Sequence, residues 1–244
     1  SSVYIYGAIN ILGYRYPITE IDIEMLHLHA KDERIQSTER FFGCIVTEFI
    51  PNGSLENHLQ NYHKGIDKEK LNSTRRTKII FGIAAIMKKL HNHNIIHRDL
   101  KPDQIILNEN FEPFVDYSCD SKIITNPYDM AFAIGSPLYM APELFMDGDD
   151  TYGFSVDVYA YAFILYRMFI NELTLDTKRP IRSSQQFKMN IGRGKRPKYD
   201  NCIPDCSWQL IERCWKQELD ERPTFAEIGF LSIISLSFGD CALH

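Results

Sequence analysis

Several features that would place the chain in a specialised class are missing from its sequence. Glycine and proline contribute only 13 and 11 of the 244 residues, which excludes a collagenous or low-complexity chain. Lys and Arg (27) are outnumbered by Asp and Glu (32), and the formal charge of −5 argues against a surface built to bind nucleic acid. The most apolar run, Val156 to Ile170, is too short to cross a bilayer, and no signal peptide is recognised. A folded cytoplasmic protein without a nucleic-acid or membrane partner is expected.

Cysteine and histidine are not spaced as metal ligands. No C-x-x-C pair occurs among the six cysteines, and the closest two, Cys202 and Cys206, have no nearby histidine to complete a zinc site. All six are expected to be reduced thiols. His91 and His93 are two positions apart in the sequence, with one residue between them, and so do not share a helical face. Both are expected at the surface.

Hydrophobic patterning divides the chain into a small β-rich part and a larger helical part. Short β-branched and aromatic runs at Val3–Tyr6 and Cys44–Phe49 flank a helical stretch at Ile21–Leu28. We predict a small sheet plus one helix in residues 1–49 and a mainly helical unit in residues 50–244.

Within the larger unit, apolar spacing predicts two helices. The first follows Ser73 and Thr74 as candidate N-caps and has buried positions at Ile79, Ile80, Ile83, Ala84, Met87 and Leu90. The second, Val156 to Ile170, is apolar almost all round, as in a helix enclosed by others. Between Ile95 and Pro142 the periodicity is lost and polar residues dominate, so the functional residues are expected there.

One motif in this polar segment carries most of the functional information. The run Ile96-His97-Arg98-Asp99-Leu100-Lys101-Pro102 brings a carboxylate, a guanidinium and an ammonium group within a few residues of one another. It resembles the catalytic loop of eukaryotic protein kinases. Further segments resemble that family along most of the chain: residues 45–49, 135–143, 156–162, 214–215 and 221–223.

The resemblance favours the tyrosine-kinase-like branch, whose members mostly phosphorylate Ser and Thr. It implies a bilobal α+β fold with a reduced β-rich N-lobe and a mainly helical C-lobe. In such a site Asp99 would orient or deprotonate the substrate hydroxyl, and Lys101 would neutralise charge on the γ-phosphate of ATP. The Ser136 hydroxyl would hydrogen-bond to both.

The same resemblance implies supporting roles around this centre. Glu143 would pair with Arg222, Asp157 would bind backbone amides of the loop, and Arg98 would pair with a phosphorylated residue. The remaining residues implied are His97 beside the base, Thr125 and Tyr128 as phosphorylation sites, and Thr47, Glu48, Phe49, Gln104 and Leu107 around ATP.

The metal motifs depart from the family pattern. Gln104 stands where the family has a metal-binding Asn, and its extra methylene displaces the amide oxygen by roughly 1.5 Å. The Asp-Phe-Gly segment is replaced by residues 115–119, in which Asp116 or Tyr117 takes the metal position, depending on the register.

The nucleotide motifs are weaker still. No Gly-x-Gly-x-x-Gly occurs in the sequence. The resemblance also implies a lysine on an N-lobe strand that would contact the α- and β-phosphates of ATP. If that strand is Val3–Ile9, the lysine position falls near Tyr6 or Gly7. If the strand is Ile11–Tyr16, the position falls near Arg15.

The residues therefore predict a kinase-family domain with weak ATP and Mg²⁺ binding. It would act as a weakened kinase or a pseudokinase through a protein substrate or a regulatory protein partner. The alternative is an active Ser/Thr kinase that uses Asp99 as base, with Asp116 and Gln104 as rearranged metal ligands.

Overall fold

The described part of the chain consists mainly of helices. The computed structural model describes residues 3–5, 8–11, 14–17, 50, 52–117, 122–123, 136–145, 152–173, 175 and 183–229. The α-helices are α1 (Leu55–His63), α2 (Ser73–Asn92), α3 (Ser155–Arg167), α4 (Ser184–Gly192) and α5 (Asp205–Cys214). Short 3-10 helices lie at Lys68–Leu71, Pro102–Gln104 and Pro142–Leu144. Within these described ranges, no helix is long and apolar enough to cross a bilayer.

Short antiparallel strands complete an α+β fold, as predicted. They are β1 (Val3–Ile5), β2 (Ala8–Ile11), β3 (Tyr14–Pro17), β4 (Ile95–Ile96), β5 (Ile105–Leu107), β6 (Pro113–Tyr117) and β7 (Lys122–Ile123). Strands β5 and β6 form a hairpin with Ile105 opposite Val115. Strand β1 adds to the other edge of β6, while β2 pairs with β3 and β4 pairs with β7.

The N-terminal strands do not form one sheet with each other. Strand β1 pairs with β6, placing Tyr4 opposite Asp116, whereas β2 and β3 form a separate hairpin. Strand β2 spans the end of the run Val3–Ile9 and the start of the run Ile11–Tyr16, so neither run is a single strand. The helix and strand predicted at residues 21–28 and 44–49 lie outside the described residues, and the division at residue 49 stays a prediction.

Helix α2 follows from its apolar spacing. The predicted core positions are all buried: Ile79, Ile80, Ile83, Ala84, Met87 and Leu90. The N-cap is Asn72, whose side-chain oxygen accepts the Arg75 backbone N–H at 3.0 Å. The prediction of Ser73 or Thr74 as the cap is therefore wrong, because both residues lie inside the first helical turn.

Helix α3 lies at the centre of the core. Every residue from Val156 to Tyr166 is buried, as its all-round apolar character predicts. The Tyr161 hydroxyl donates to the Ile80 carbonyl of α2 at 3.0 Å, and the Phe163 ring packs edge-on against Trp215 after α5. A helix enclosed in this way gives the polar segments beside it a rigid support.

The described cysteines are not all reduced. Cys202 and Cys214 are free thiols, but Cys206 is disulfide-bonded. The expectation of six reduced cysteines is therefore wrong for Cys206.

Helix α2 and strand β6 approach each other closely at Gly82. A Cβ atom at this position would overlap the Pro113 ring, whereas a Cβ atom at Gly153 would meet no described atom within 4 Å. We expect Gly82→Ala to lower the free energy of unfolding by up to about 2 kcal/mol. The overpacking costs about 1–3 kcal/mol and outweighs a gain of about 1 kcal/mol in helix propensity.

Urea denaturation measures this change. Gly153→Ala is the matched control, expected to alter the unfolding free energy by less than about 0.5 kcal/mol. A Gly82→Ala variant more stable than the wild type would show that the two elements are not in close contact.

Candidate active site

The buried carboxylate of Asp157 holds the loop that carries the kinase-like motif. Its Oδ2 accepts the backbone N–H of His97 at 2.8 Å, and its Oδ1 accepts that of Arg98 at 2.9 Å. Nε2 of the His91 ring on α2 lies 2.9 Å from the same Oδ2. Asp157 is 1% exposed, and these groups replace the hydration that its carboxylate loses on burial. Helices α2 and α3 together fix the start of the loop.

The expectation that His91 lies at the surface is wrong. Its side chain is 11% exposed and packs against the rings of Phe154 and Phe225. His91 follows the buried Met87 by four residues, and this spacing places it on the core face of α2. The helical periodicity is therefore the signal in the sequence that identifies it.

Arg98 has a left-handed backbone conformation, with φ of 66°. Such a conformation costs a non-glycine residue about 1–3 kcal/mol and is retained only where the surroundings enforce it. The bonds from Asp157 to the N–H groups of His97 and Arg98 provide that restraint. The Arg98 side chain reaches Tyr152, with Nη1 3.4 Å from the phenol oxygen.

Asp99, Lys101 and Ser136 come together although Ser136 is distant in sequence. The Lys101 ammonium lies 2.6 Å from Asp99 Oδ2 and donates to Ser136 Oγ, also at 2.6 Å. The backbone N–H of Ser136 donates to Asp99 Oδ1 at 2.9 Å. Among the described contacts, the Ser136 hydroxyl binds Lys101, while the Ser136 backbone N–H, and not the predicted hydroxyl, binds Asp99. Asp99 is 7% exposed and borders a recess lined also by Arg98 and Tyr139.

The His97 imidazole links the loop to strand β6. Its Nε2 donates to the Asp116 carbonyl at 2.7 Å, and its Nδ1 accepts the Asp99 backbone N–H at 3.3 Å. These two partners select the neutral tautomer with the proton on Nε2. Burial lowers the pKa of His97, against the opposing effect of the Asp157 charge.

The two residues expected to hold a metal ion are both placed by the structure, Gln104 beside Asp99 and Asp116 in strand β6. Gln104 Nε2 lies 3.4 Å from Asp99 Oδ2, and because a carboxylate only accepts, the nitrogen end of the amide faces Asp99. Asp116 is 5% exposed, and its backbone pairs with β1. In the part of the chain that the structure describes, no group of three or more His, Cys, Asp or Glu side chains is placed to hold a metal. Asp116 and Gln104 alone would not complete a Mg²⁺ site, which in nucleotide-binding proteins takes one or two carboxylates together with phosphate oxygens and water.

Most of the residues predicted around ATP and on the activation segment are not described. Gln104, described above, and Leu107 are the exceptions, and Leu107 is fully buried in β5. The others lie outside the described residues, and their roles stay predictions: Thr47, Glu48, Phe49, Thr125 and Tyr128.

The segment that carries Ser136 is anchored by a buried ion pair. The two carboxylate oxygens of Glu143 accept from the two terminal nitrogens of Arg222 at 2.6 and 2.9 Å. The Arg222 side chain is fully buried and also donates to the Ser155 carbonyl at the start of α3. Its guanidinium lies 4.8 Å from the centre of the Tyr159 ring. A bidentate pair of this kind fixes both position and orientation.

Comparisons with known proteins agree with this arrangement. The protein kinase domain family matches residues 32–230. A probable serine/threonine-protein kinase of Dictyostelium discoideum is 35% identical over 188 residues, which cover 76% of this chain and 19% of that protein. The RGS domain-containing serine/threonine-protein kinase A of the same organism is 32% identical over 194 residues, covering 79% of this chain and 16% of that protein.

A plant protein shows the same relation. The serine/threonine-protein kinase STY17 of Arabidopsis thaliana is 31% identical over 202 residues, covering 82% of this chain and 34% of that protein. The chain thus spans about a third of STY17 and less than a fifth of the two Dictyostelium proteins. These matches confirm the predicted eukaryotic protein kinase superfamily and its α+β fold.

Removing one partner of the Glu143–Arg222 pair should destabilise the fold strongly. Glu143→Gln leaves the Arg222 charge buried without a carboxylate, which costs about 3–5 kcal/mol of unfolding free energy. The exposed pair of Lys216 and Glu221, 3.8 Å apart, offers a matched control. Glu221→Gln should change the unfolding free energy, measured with urea, by less than about 1 kcal/mol. Equal effects of the two substitutions would contradict the anchoring role.

The buried, neutral His97 should make stability depend on pH. Because its pKa is lowered in the folded state, the unfolded chain takes up the proton first as the pH falls below about 6.5. The contribution of His97 to the free energy of unfolding is therefore fully present above that pH. Below it the free energy of unfolding declines by at most about 1.4 kcal/mol per pH unit for one proton. Burial also lowers the pKa of His63, which adds to the slope.

His97→Gln should reduce this slope in urea denaturations between about pH 5 and 8, the range in which histidine titrates. His93→Gln is the control, since the hydrogen bond described for the His93 ring is an exposed contact with the Lys89 carbonyl of helix α2. An unchanged slope in His97→Gln would show that His97 is not the group responsible.

Proposed function

Because this chain belongs to the protein kinase family, we propose that it is a Ser/Thr-type kinase domain with weakened phosphoryl transfer that acts mainly by binding a protein. One contrast carries the proposal. The groups that would handle the substrate hydroxyl are assembled, with Lys101 2.6 Å from both Asp99 and Ser136. At the metal positions, Gln104 holds its amide nitrogen 3.4 Å from Asp99, and Asp116 is 5% exposed.

Asp99, Lys101 and Ser136, which we call the acceptor side because they would contact the hydroxyl that accepts the phosphoryl group, support recognition of a hydroxyl substrate. Ser136 N–H and Lys101 Nζ orient the Asp99 carboxylate, which can then accept the proton of a substrate hydroxyl. The Lys101 ammonium is a compact charge that would neutralise a phosphoryl group beside that hydroxyl. Ser or Thr is the proposed acceptor because Lys101 follows Asp99 by two residues, and the relatives named above are serine/threonine kinases.

Gln104 and Asp116, which we call the donor side because they would face ATP and its metal ion, support weak ATP and Mg²⁺ binding. ATP, when bound with its metal, supplies the phosphoryl group in this family. In this chain Gln104 directs its amide nitrogen to Asp99, and Asp116 is 5% exposed. A domain with an intact acceptor side and a poor donor side is suited to bind a protein substrate or a regulatory protein partner, and we place it in the cytoplasm.

The alternative is an active Ser/Thr kinase with Asp99 as base and Asp116 and Gln104 as rearranged metal ligands. The short contacts of Asp99 favour it. A radiometric assay with ATP, Mg²⁺ and a generic protein substrate separates the two proposals. The control for Asp99→Asn is Asp220→Asn, the same change at an exposed residue.

In an active kinase, loss of the base lowers the rate by about 10²–10⁴-fold. In a weakened domain the wild type is already near the background, so we expect Asp99→Asn to lower the rate less than about tenfold. A hundredfold drop in Asp99→Asn with no change in Asp220→Asn would establish the active kinase instead.

Nucleotide binding gives a second test that does not need turnover. We expect ATP to raise the melting temperature of the wild-type chain only slightly, and equally in EDTA and in MgCl₂. A large rise that requires Mg²⁺ would contradict weak metal use.

A further inference from the structure

A basic and partly apolar surface lies at the end of helix α4. Between Asp176 and Asp200 the sequence has eight Lys and Arg residues and no Asp or Glu, although the whole chain has a formal charge of −5. Arg193 and Lys195 are exposed, and Met189, one turn before Arg193, is 51% exposed. We call these three side chains the basic surface.

A regular turn fixes the backbone of the basic surface. The Gly194 N–H donates to the Ile191 carbonyl at 2.9 Å. The Lys195 N–H donates to the Asn190 carbonyl, also at 2.9 Å. With Gly194 in the left-handed region, at φ of 79°, these two bonds form the Schellman turn that ends many helices. The backbone is therefore already ordered before a partner binds, which reduces the entropy lost on binding.

The turn does not by itself account for the residues that it carries. In a Schellman turn the residue at the position of Lys195 commonly makes an apolar contact with a residue three or four places before the helix cap. Those places are Asn190 and Met189, so a cation stands where an apolar partner for Met189 is usual. Arg193 already supplies a cation that interacts favourably with the helix C-terminus. The turn therefore requires neither the charge of Lys195 nor the exposure of Met189.

The charges of the basic surface fit carboxylates better than phosphate. Among the described residues, neither Arg193 nor Lys195 forms an ion pair with a carboxylate. The backbone N–H groups of Arg193, Gly194 and Lys195 all donate to carbonyls of α4. Phosphate sites commonly add backbone N–H groups to their cations, and here those groups are already used. Exposed ammonium and guanidinium groups pair with Asp and Glu without such help.

We propose that the basic surface binds an acidic segment of a protein, in which Asp or Glu side chains pair with Arg193 and Lys195 and an apolar side chain covers Met189. Methionine suits this role because its unbranched side chain adapts to the shape of its partner. Nucleic acids and anionic membranes present negative charge over a larger area, and the net charge of −5 opposes such contacts. The inference rests on the proposed function, because it gives the chemistry of the protein partner.

Helix α4 connects this surface to the candidate active site. The Lys188 ammonium lies 5.5 Å from the centre of the Phe145 ring. Phe145 directly follows the 3-10 helix Pro142–Leu144, in the segment that Glu143 anchors and that carries Ser136. A partner on the basic surface is thus bound by a helix that packs against the acceptor side of the domain.

Fluorescence anisotropy without ATP or Mg²⁺ tests the proposal, with a labelled peptide of about twelve residues in which glutamates flank a central pair of leucines. Arg193→Gln/Lys195→Gln should bind it about tenfold more weakly than the wild type, because two ion pairs are lost. Met189→Ser should weaken binding about fivefold, because an apolar contact is lost. The matched control is Lys88→Gln/Lys89→Gln, which removes the same charge from exposed positions on α2 and should bind within about twofold of the wild type.

The melting temperature of each variant verifies its fold. All the substituted side chains are exposed, so each variant should melt near the wild-type temperature.

Several outcomes would overturn the proposal. Equal weakening in the two double variants would show that the peptide responds only to net charge. The proposal is also wrong if a peptide with glutamine in place of glutamate binds as tightly. Tighter binding of a phosphoserine peptide of equal charge, an oligonucleotide or phosphatidylserine vesicles would assign the surface to another ligand.

These results can be separated from a failure of the proposed function. The peptide measurements use neither ATP nor a metal ion, so a negative result would leave weakened phosphoryl transfer standing. Conversely, a radiometric assay that establishes an active kinase would leave the measured affinity for the peptide unchanged.

Discussion

The candidate site depends first on the carboxylate of Asp157. This side chain lies on the most buried helix of the described structure, and it accepts hydrogen bonds from the backbone of His97 and Arg98. Without those bonds the left-handed conformation of Arg98 would relax. The next residue, Asp99, would then lose its alignment with Lys101. The buried charge is tolerated because the loop amides and His91 replace its hydration.

The start of helix α3 serves both segments of the site. Asp157 in its first turn binds the loop, and the Ser155 carbonyl accepts from Arg222, which in turn holds Glu143. The segment anchored by Glu143 also carries Ser136, whose N–H orients Asp99. The two polar segments are therefore aligned by one buried helix rather than by each other alone. All of the contacts that produce this alignment are made between protein groups.

Local sequence patterns predict much of this arrangement, and tertiary contacts decide the rest. Helical spacing identifies the cores of α2 and α3, and the kinase-like motif brings Asp99 to the centre. The same helical spacing predicts that His91 is buried. The spacing of His91 and His93, which argues against a metal site, carries no information about burial. The N-cap of α2 is Asn72 and not Ser73 or Thr74. All three residue types are favourable N-caps, so the sequence alone does not show which of these neighbours occupies the position. Asp99 is bound by the backbone N–H of Ser136 and not by its hydroxyl. Every residue type except proline has this N–H group, so the identity of the side chain could not predict the contact.

An intact acceptor side is weak grounds for inferring catalysis in this chain. The contacts described for Asp99 come from the protein itself, through Lys101, Ser136, Gln104 and the His97 ring. None of these contacts needs a metal ion, so selection for a stable fold is enough to retain them. A well-held Asp99 is therefore compatible with an active kinase and with a weakened one, and metal-dependent ATP binding is the property that separates the two.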